Sequence, residues 1–88
     1  MPTFKLVFAP EAQEDYEYFK RYDIKIARKI NALIKNTMNA PFSGIGKPEP
    51  LKHELAGFWS RRIDKAHRLV YCVMGDELHV VSCRYNYK

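Results

Sequence analysis

Apolar positions change their period twice along this chain, and the changes mark its elements. Phe4-Lys5-Leu6-Val7-Phe8 alternates and is aromatic or β-branched at most positions, which predicts a first strand. Pro10 suits a first helical turn, and Ala12, Tyr16, Phe19 and Tyr22 then recur at helical spacing as an expected buried stripe. Glu11, Glu14, Asp15 and Glu17 crowd the start of that helix, where its dipole favours negative charge; this accounts for them more simply than a metal site does. Asp23 is placed to cap a second helix with Ile26, Ile30, Leu33, Ile34 and Thr37 inward and Lys25, Arg28, Lys29 and Lys35 outward. Pro41 ends it. Residues 41–50 read as a loop, rich in Gly and Pro. After Gly57 the period becomes two, and Trp59–Ile63, His67–Met74 and Leu78–Tyr85 are expected as strands. The links Asp64-Lys65-Ala66 and Gly75-Asp76 are so short that these strands must form an antiparallel meander. The expected class is α+β, two N-terminal helices packed on one face of a small, twisted, mainly antiparallel sheet.

Eighty-eight residues are expected to form a single domain spanning 1–88, and a hydrophobic content of 47% speaks against disorder. Fifteen basic and ten acidic residues leave a net charge of +5, which favours polyanionic partners without naming one. Cys72 and Cys83 have neither a redox nor a zinc spacing and are expected as buried, reduced thiols. No apolar run approaches the ~18 residues of a membrane span, nor is there a signal peptide, so a cytoplasmic protein without membrane contact is expected. Gly44-Ile45-Gly46-Lys47 is not a phosphate loop: Pro41 stands at the first glycine position, Pro48 replaces the Ser or Thr, and no strand precedes it. No helix-turn-helix pattern is present either. The chain contains no sequence feature that calls for a cofactor or a metal.

One carboxylate stands out against this background. Glu49 lies between Pro48 and Pro50, whose rings restrain its backbone, a short distance ahead of Lys52, Arg62 and Arg68. Cleaving RNA without a metal needs a base for the ribose 2′-hydroxyl, cations for the phosphorane and an acid for the leaving 5′-oxygen. Glu49 is the candidate base. Arg68, Arg62 and Lys52 are candidate phosphate ligands, the guanidinium groups because their planar forks match phosphate oxygens. Arg62 and Arg68 are expected on neighbouring antiparallel strands, where a short turn brings them together. Taken singly, each of these residues reads more simply as a solvated surface charge; the case rests on one carboxylate among several cations on a rigid loop-and-strand frame.

The run Pro48-Glu49-Pro50-Leu51-Lys52-His53-Glu54-Leu55, followed by Gly57-Phe58-Trp59-Ser60-Arg61-Arg62-Ile63 and His67-Arg68-Leu69-Val70-Tyr71, resembles the YoeB/Txe branch of the RelE toxin superfamily. Lys29-Ile30-Asn31, Leu33-Ile34-Lys35, Pro41-Phe42 and Cys83-Arg84-Tyr85 extend the resemblance over essentially the whole chain. It implies a RelE-like fold and a type II toxin: a ribosome-dependent endoribonuclease that cuts mRNA in the A site without a metal. It also implies a YefM-like antitoxin that neutralises the toxin, repression of operator DNA only through that antitoxin, and compatibility with a homodimer. Residue by residue, Glu49 falls on the catalytic glutamate, Arg68 on the transition-state arginine, Lys52 and Arg62 on basic site positions, and Tyr87 on an aromatic that borders the site. Asn86 departs from the pattern, because the family has there a histidine proposed as the general acid. Asparagine donates a hydrogen bond but delivers no proton near neutral pH. His53, His67 and His79 do not fill that position by sequence. An attenuated toxin, a variant disarmed for expression, a site with another acid, or an inactive homologue that serves as an antitoxin-binding or nucleic-acid-binding module all remain compatible with Asn86.

Overall fold

A computed structural model describes residues 4–85. Its order is β1 (Lys5–Phe8), α1 (Pro10–Tyr22), α2 (Ile24–Asn39), β2 (Glu49–Pro50), a 3-10 turn (His53–Leu55), β3 (Trp59–Arg62), β4 (Arg68–Met74) and β5 (Glu77–Ser82). The strands form one five-stranded sheet in the order β1-β5-β4-β3-β2. Strands β2 to β5 pair antiparallel, whereas β1 returns across the two helices to lie parallel to β5. The expected α+β architecture, with its helical pair on a mainly antiparallel sheet, is therefore the observed one.

Helix α2 follows its sequence pattern closely. Asp23 caps it by accepting a hydrogen bond from the Ile26 N–H, and Ala27, Ile30, Leu33, Ile34 and Thr37 are buried. The Thr37 hydroxyl donates to the Leu33 carbonyl at 2.7 Å, which satisfies it inside the core. Helix α1 buries Ala12 and Phe19, but Tyr22 is 68% exposed and not part of the buried stripe. It stands in the last turn, at the rim of the helix pair, and its ring meets Tyr18 at 5.0 Å instead of the core. Tyr16 is half-buried and joins the helices through its hydroxyl, which donates to Asn31 at 2.9 Å.

The core lies between the helices and one face of the sheet, where Leu69, Tyr71, Leu78 and Val80 meet Phe19, Ala27, Ile30 and Leu33. Strand residues alternate between faces, so Ser60, Arg62, Arg68 and Val70 stand on the opposite face, away from the helices. Both cysteines are free and buried, as expected. Burial, with Asp15 and Glu11 nearby, pushes the Cys83 thiol up to about 12, so it stays protonated at neutral pH. Asp15 is drawn towards the core and not simply arrayed at a helix start. Its burial raises its pKa against the opposing hydrogen bond from the Cys83 backbone, and its Oδ2 is buried without a partner.

Several strand ends shift by one residue from the sequence pattern, and two differences are larger. Residues 49–50, expected within the loop, form a short edge strand because Glu49 pairs with Ser60 and Pro50 with Trp59. An edge position suits a proline, which has no N–H to give to a ladder. The last strand ends at Ser82, not Tyr85, and the chain bends so that Tyr85 adopts a positive φ of 62°.

Candidate active site

Glu49 owes its position to the loop before it. Helix α2 ends at Asn39, and residues 40–47 fold back beneath the sheet edge around the side chain of Arg61. Arg61 is fully buried, with no carboxylate beside it, yet all five of its N–H donors are used. Nε donates to the Tyr71 hydroxyl at 3.1 Å, Nη1 to Asn36 Oδ1 at 2.6 Å and the Ile45 carbonyl at 3.1 Å, and Nη2 to the Ala40 and Ser43 carbonyls. The Tyr71 hydroxyl passes the network on to the Pro41 carbonyl at 2.7 Å. Gly44 fits only because it lacks a side chain: its φ is +114°, and a Cβ there would stand 2.0 Å from Asn36 Oδ1. The Arg62 N–H then donates to the Gly46 carbonyl at 2.7 Å, and Pro48 delivers the chain into β2.

Arg61 was not among the residues singled out from the sequence. The signal was present, since Trp59 and Arg61 of β3 and Ile63 just after it alternate inward, but an arginine among apolar neighbours reads as a surface residue unless its acceptors are known. Replacing it by methionine strips partners from several half-buried carbonyls, Asn36 and Tyr71. Unmet buried polar groups cost about 1–3 kcal/mol each, and partial solvation of the loop limits the sum. Arg61→Met is expected to lower unfolding stability by about 2–4 kcal/mol in urea titrations, against roughly 1 kcal/mol for Tyr71→Phe.

On the face away from the helices, Glu49, Ser60, Arg62 and Arg68 converge. Glu49 is paired with Ser60, and Arg62 lies directly across from Arg68. Arg68 Nη2 donates to Glu49 Oε1 at 2.8 Å and its Nε to the Ser60 hydroxyl at 3.0 Å. The Arg68 side chain is only 15% exposed and that of Glu49 51%, so a well-held guanidinium faces a carboxylate open to solvent. Facing like charges at Arg62 and Arg68 repel, and an anion between them relieves that repulsion. A cleft of about 380 Å³ is lined by Glu49 to Leu55, with Lys52, His53 and Glu54 among its walls. Of the sequence-derived set, Glu49, Arg62 and Arg68 meet on this face, and Lys52 lines the cleft that Glu49 also borders. Asn86 and Tyr87 lie outside the described residues.

The other histidines have evident partners. The His79 ring meets Glu77 Oε1 at 2.8 Å on β5, and His67 packs on Phe19 and Tyr85 at the start of β4. Among the described residues no three His, Cys, Asp or Glu side chains are grouped to hold a metal ion, and no helix is long and apolar enough to cross a membrane.

A family model described as the YoeB-like toxin of bacterial type II toxin-antitoxin systems matches residues 8–87. The chain belongs to the YoeB toxin family. Toxin YoeB of Escherichia coli K12 is 55% identical over 83 residues, 94% of this chain and 99% of that one. A YoeB dimer from Staphylococcus aureus superposes with a TM-score of 0.90 at 45% identity, covering 97% of this chain and 99% of that chain. The toxin of a YoeB-YefM complex from the same organism does so at 0.87 and 46%, covering 96% and 98%. The YoeB match spans both helices, the loop around Arg61 and every strand from β2 to β5. The chain is therefore a YoeB-type toxin of a type II toxin-antitoxin system.

Proposed function

We propose that this YoeB-family toxin is an endoribonuclease that cuts mRNA in the ribosomal A site by attack of a ribose 2′-hydroxyl on its own 3′-phosphodiester, without a metal. The observation that carries the reading is the Glu49–Arg68 pair, 2.8 Å apart, opposite Arg62 and open to solvent. Glu49 takes the proton from the 2′-hydroxyl, and the 2′-oxygen attacks phosphorus. Negative charge builds on the phosphorane oxygens, where Arg68, Arg62 and Lys52 stabilise it. The bond from phosphorus to the 5′-oxygen breaks, leaving a 2′,3′-cyclic phosphate and a 5′-oxygen that must acquire a proton. In the family pattern the histidine at position 86 supplies that proton. Asn86 cannot, so the oxygen leaves at the expense of solvent and the reaction is slow. Tyr87 borders the same site in this reading.

In the free toxin, Glu49 holds Arg68 in place, and Ser60 fixes the guanidinium plane from the other side. An incoming phosphate adds negative charge beside the facing Arg62 and Arg68. Toeprinting on translating ribosomes is expected to show a cut within the A-site codon, weak for this chain and strong for Asn86→His. Failure of both to bind ribosomes would refute the reading. Asn86 also supports a second reading, a binding module without chemistry. Ribosome binding with no fragments even at high toxin concentration would establish it.

The expected partners are the ribosome, its mRNA and a YefM-like antitoxin, with operator DNA reached only through the antitoxin, a homodimer as a further assembly and the cytoplasm as the site of action. A partly disordered acidic antitoxin segment that orders over Lys52, Arg62 and Arg68 neutralises the excess positive charge. Its association with the toxin is expected to slow as salt rises, measured by stopped-flow mixing; a rate indifferent to salt contradicts the electrostatic part of this account.

A further inference from the structure

His67 is the residue immediately before Arg68, and its backbone is unusually well fixed. Its N–H donates to Asp64 Oδ1 at 2.8 Å, and its carbonyl accepts from the Ile63 and Asp64 N–H groups at 3.0 and 3.2 Å. The ring stands edge-on to the buried Phe19, with centroids 5.0 Å apart. Its Nδ1 accepts a hydrogen bond from the Tyr85 backbone N–H at 2.7 Å. The Tyr85 carbonyl in turn accepts from the Arg68 N–H at 3.2 Å. Two consecutive residues therefore grip both backbone polar groups of Tyr85, which is held with a φ of 62°, a left-handed conformation that an aromatic residue adopts at a cost. β5 has already ended at Ser82, so these hydrogen bonds hold Tyr85 outside the sheet ladder.

We propose that His67 is a positioning residue: through the Tyr85 backbone it fixes where, and in which direction, the chain leaves the base of Arg68 towards its last three residues. This rests on the nuclease reading only for its consequence, since positions 86 and 87 are those the reading assigns to proton delivery and to the border of the site. Nothing else in the mechanism uses His67. Its ring lies on the helix side of the sheet, against Phe19, whereas the Arg68 side chain is on the opposite face. The chemistry demands a particular form of the ring. To accept at Nδ1 the imidazole must be neutral with its proton on Nε2, because a doubly protonated ring has two donors and no acceptor and would oppose the Tyr85 N–H. Around it stand Asp64 of the preceding turn, Tyr18 and Tyr22 of α1, Asp23 between the helices, and Arg84 and Tyr85 of the tail.

The experiment uses the whole chain, labelled with 15N. His67→Phe keeps an aromatic ring on Phe19 and removes the acceptor; His67→Asn places an amide oxygen near the position of Nδ1. Amide hydrogen exchange at Tyr85 is expected to accelerate roughly tenfold in His67→Phe and to stay close to the parent rate in His67→Asn. In the Asn86→His background, His67→Phe is expected to lower single-turnover cleavage by roughly 10²-fold, the order that a 1 Å misplacement costs, with KM for ribosomes unchanged, and His67→Asn to restore most of it. Unchanged exchange at Tyr85 in His67→Phe overturns the proposal, as does an equal fall in cleavage for the two variants. If the Asn86→His chain itself cuts no mRNA, the nuclease reading fails, and the exchange data alone still decide whether His67 holds Tyr85.

Discussion

Glu49→Gln, introduced together with Asn86→His, is expected to reduce mRNA cleavage by roughly 10²–10⁴ relative to Asn86→His alone, the contribution of a well-placed general base. The amide is nearly isosteric, and its oxygen still accepts from Arg68, so the fold and the seating of the guanidinium should survive. The lost ion pair is half-exposed on its carboxylate side and contributes at most about 1 kcal/mol to stability. Ribosome affinity should hardly change, since the substitution adds to the positive surface instead of weakening it. A loss of rate with melting behaviour and binding intact assigns Glu49 to proton transfer. Arg68→Ala is a different case. It removes the charge that meets the phosphorane, at roughly 10²–10³ in rate, and also leaves Ser60 and Glu49 without the guanidinium they share. Its effect therefore mixes chemistry with geometry, whereas that of Glu49→Gln does not.

Asn86→His is expected to act in the opposite direction, raising cleavage and cellular toxicity by roughly 10²–10⁴. In the proposed mechanism Glu49 is the base and the arginines are the cationic cradle, while Asn86 has no proton to give a departing alkoxide. Restoring an imidazole there supplies the missing half of the acid–base pair. The gain should appear in the single-turnover rate and not in ribosome binding, and it should follow the fraction of imidazolium as pH is varied. Equal rates for the two chains would place the acid elsewhere, with Tyr87 the first residue to test.

The elements with a strong local period were legible in the sequence. Asp23 capping a stripe that runs from Ile26 to Thr37 needs no tertiary information, and the short links after β3 and β4 leave an antiparallel meander as the simple solution. The meeting of Arg62 and Arg68 followed from the same reasoning, because a turn between two paired strands sets their register. What was not legible depends on partners far along the chain. The two residues of β2 become a strand only by pairing with Ser60 and Trp59, and nothing in a Pro-Glu-Pro tripeptide announces that. Tyr22 continues the apolar spacing of α1, but it is the helix's last residue and stays exposed. Arg61 is the sharpest case: alternation puts it inside and its charge argues outside. Only the convergence of Asn36, Tyr71 and three loop carbonyls makes the inside position tolerable. The resemblance to YoeB toxins supplied the proposed roles of the site residues, and the sheet register brings Glu49, Arg62 and Arg68 together on one face.

The central claim, that Glu49 activates a ribose hydroxyl and not water, is tested most directly by the ends of the fragments. Ribosomes stalled on a labelled mRNA are mixed with excess Asn86→His toxin, and both products are analysed after a single turnover. The account predicts an upstream fragment ending in a 2′,3′-cyclic phosphate and a downstream fragment with a free 5′-hydroxyl, both absent with Glu49→Gln. An upstream 3′-hydroxyl with a downstream 5′-phosphate would contradict it.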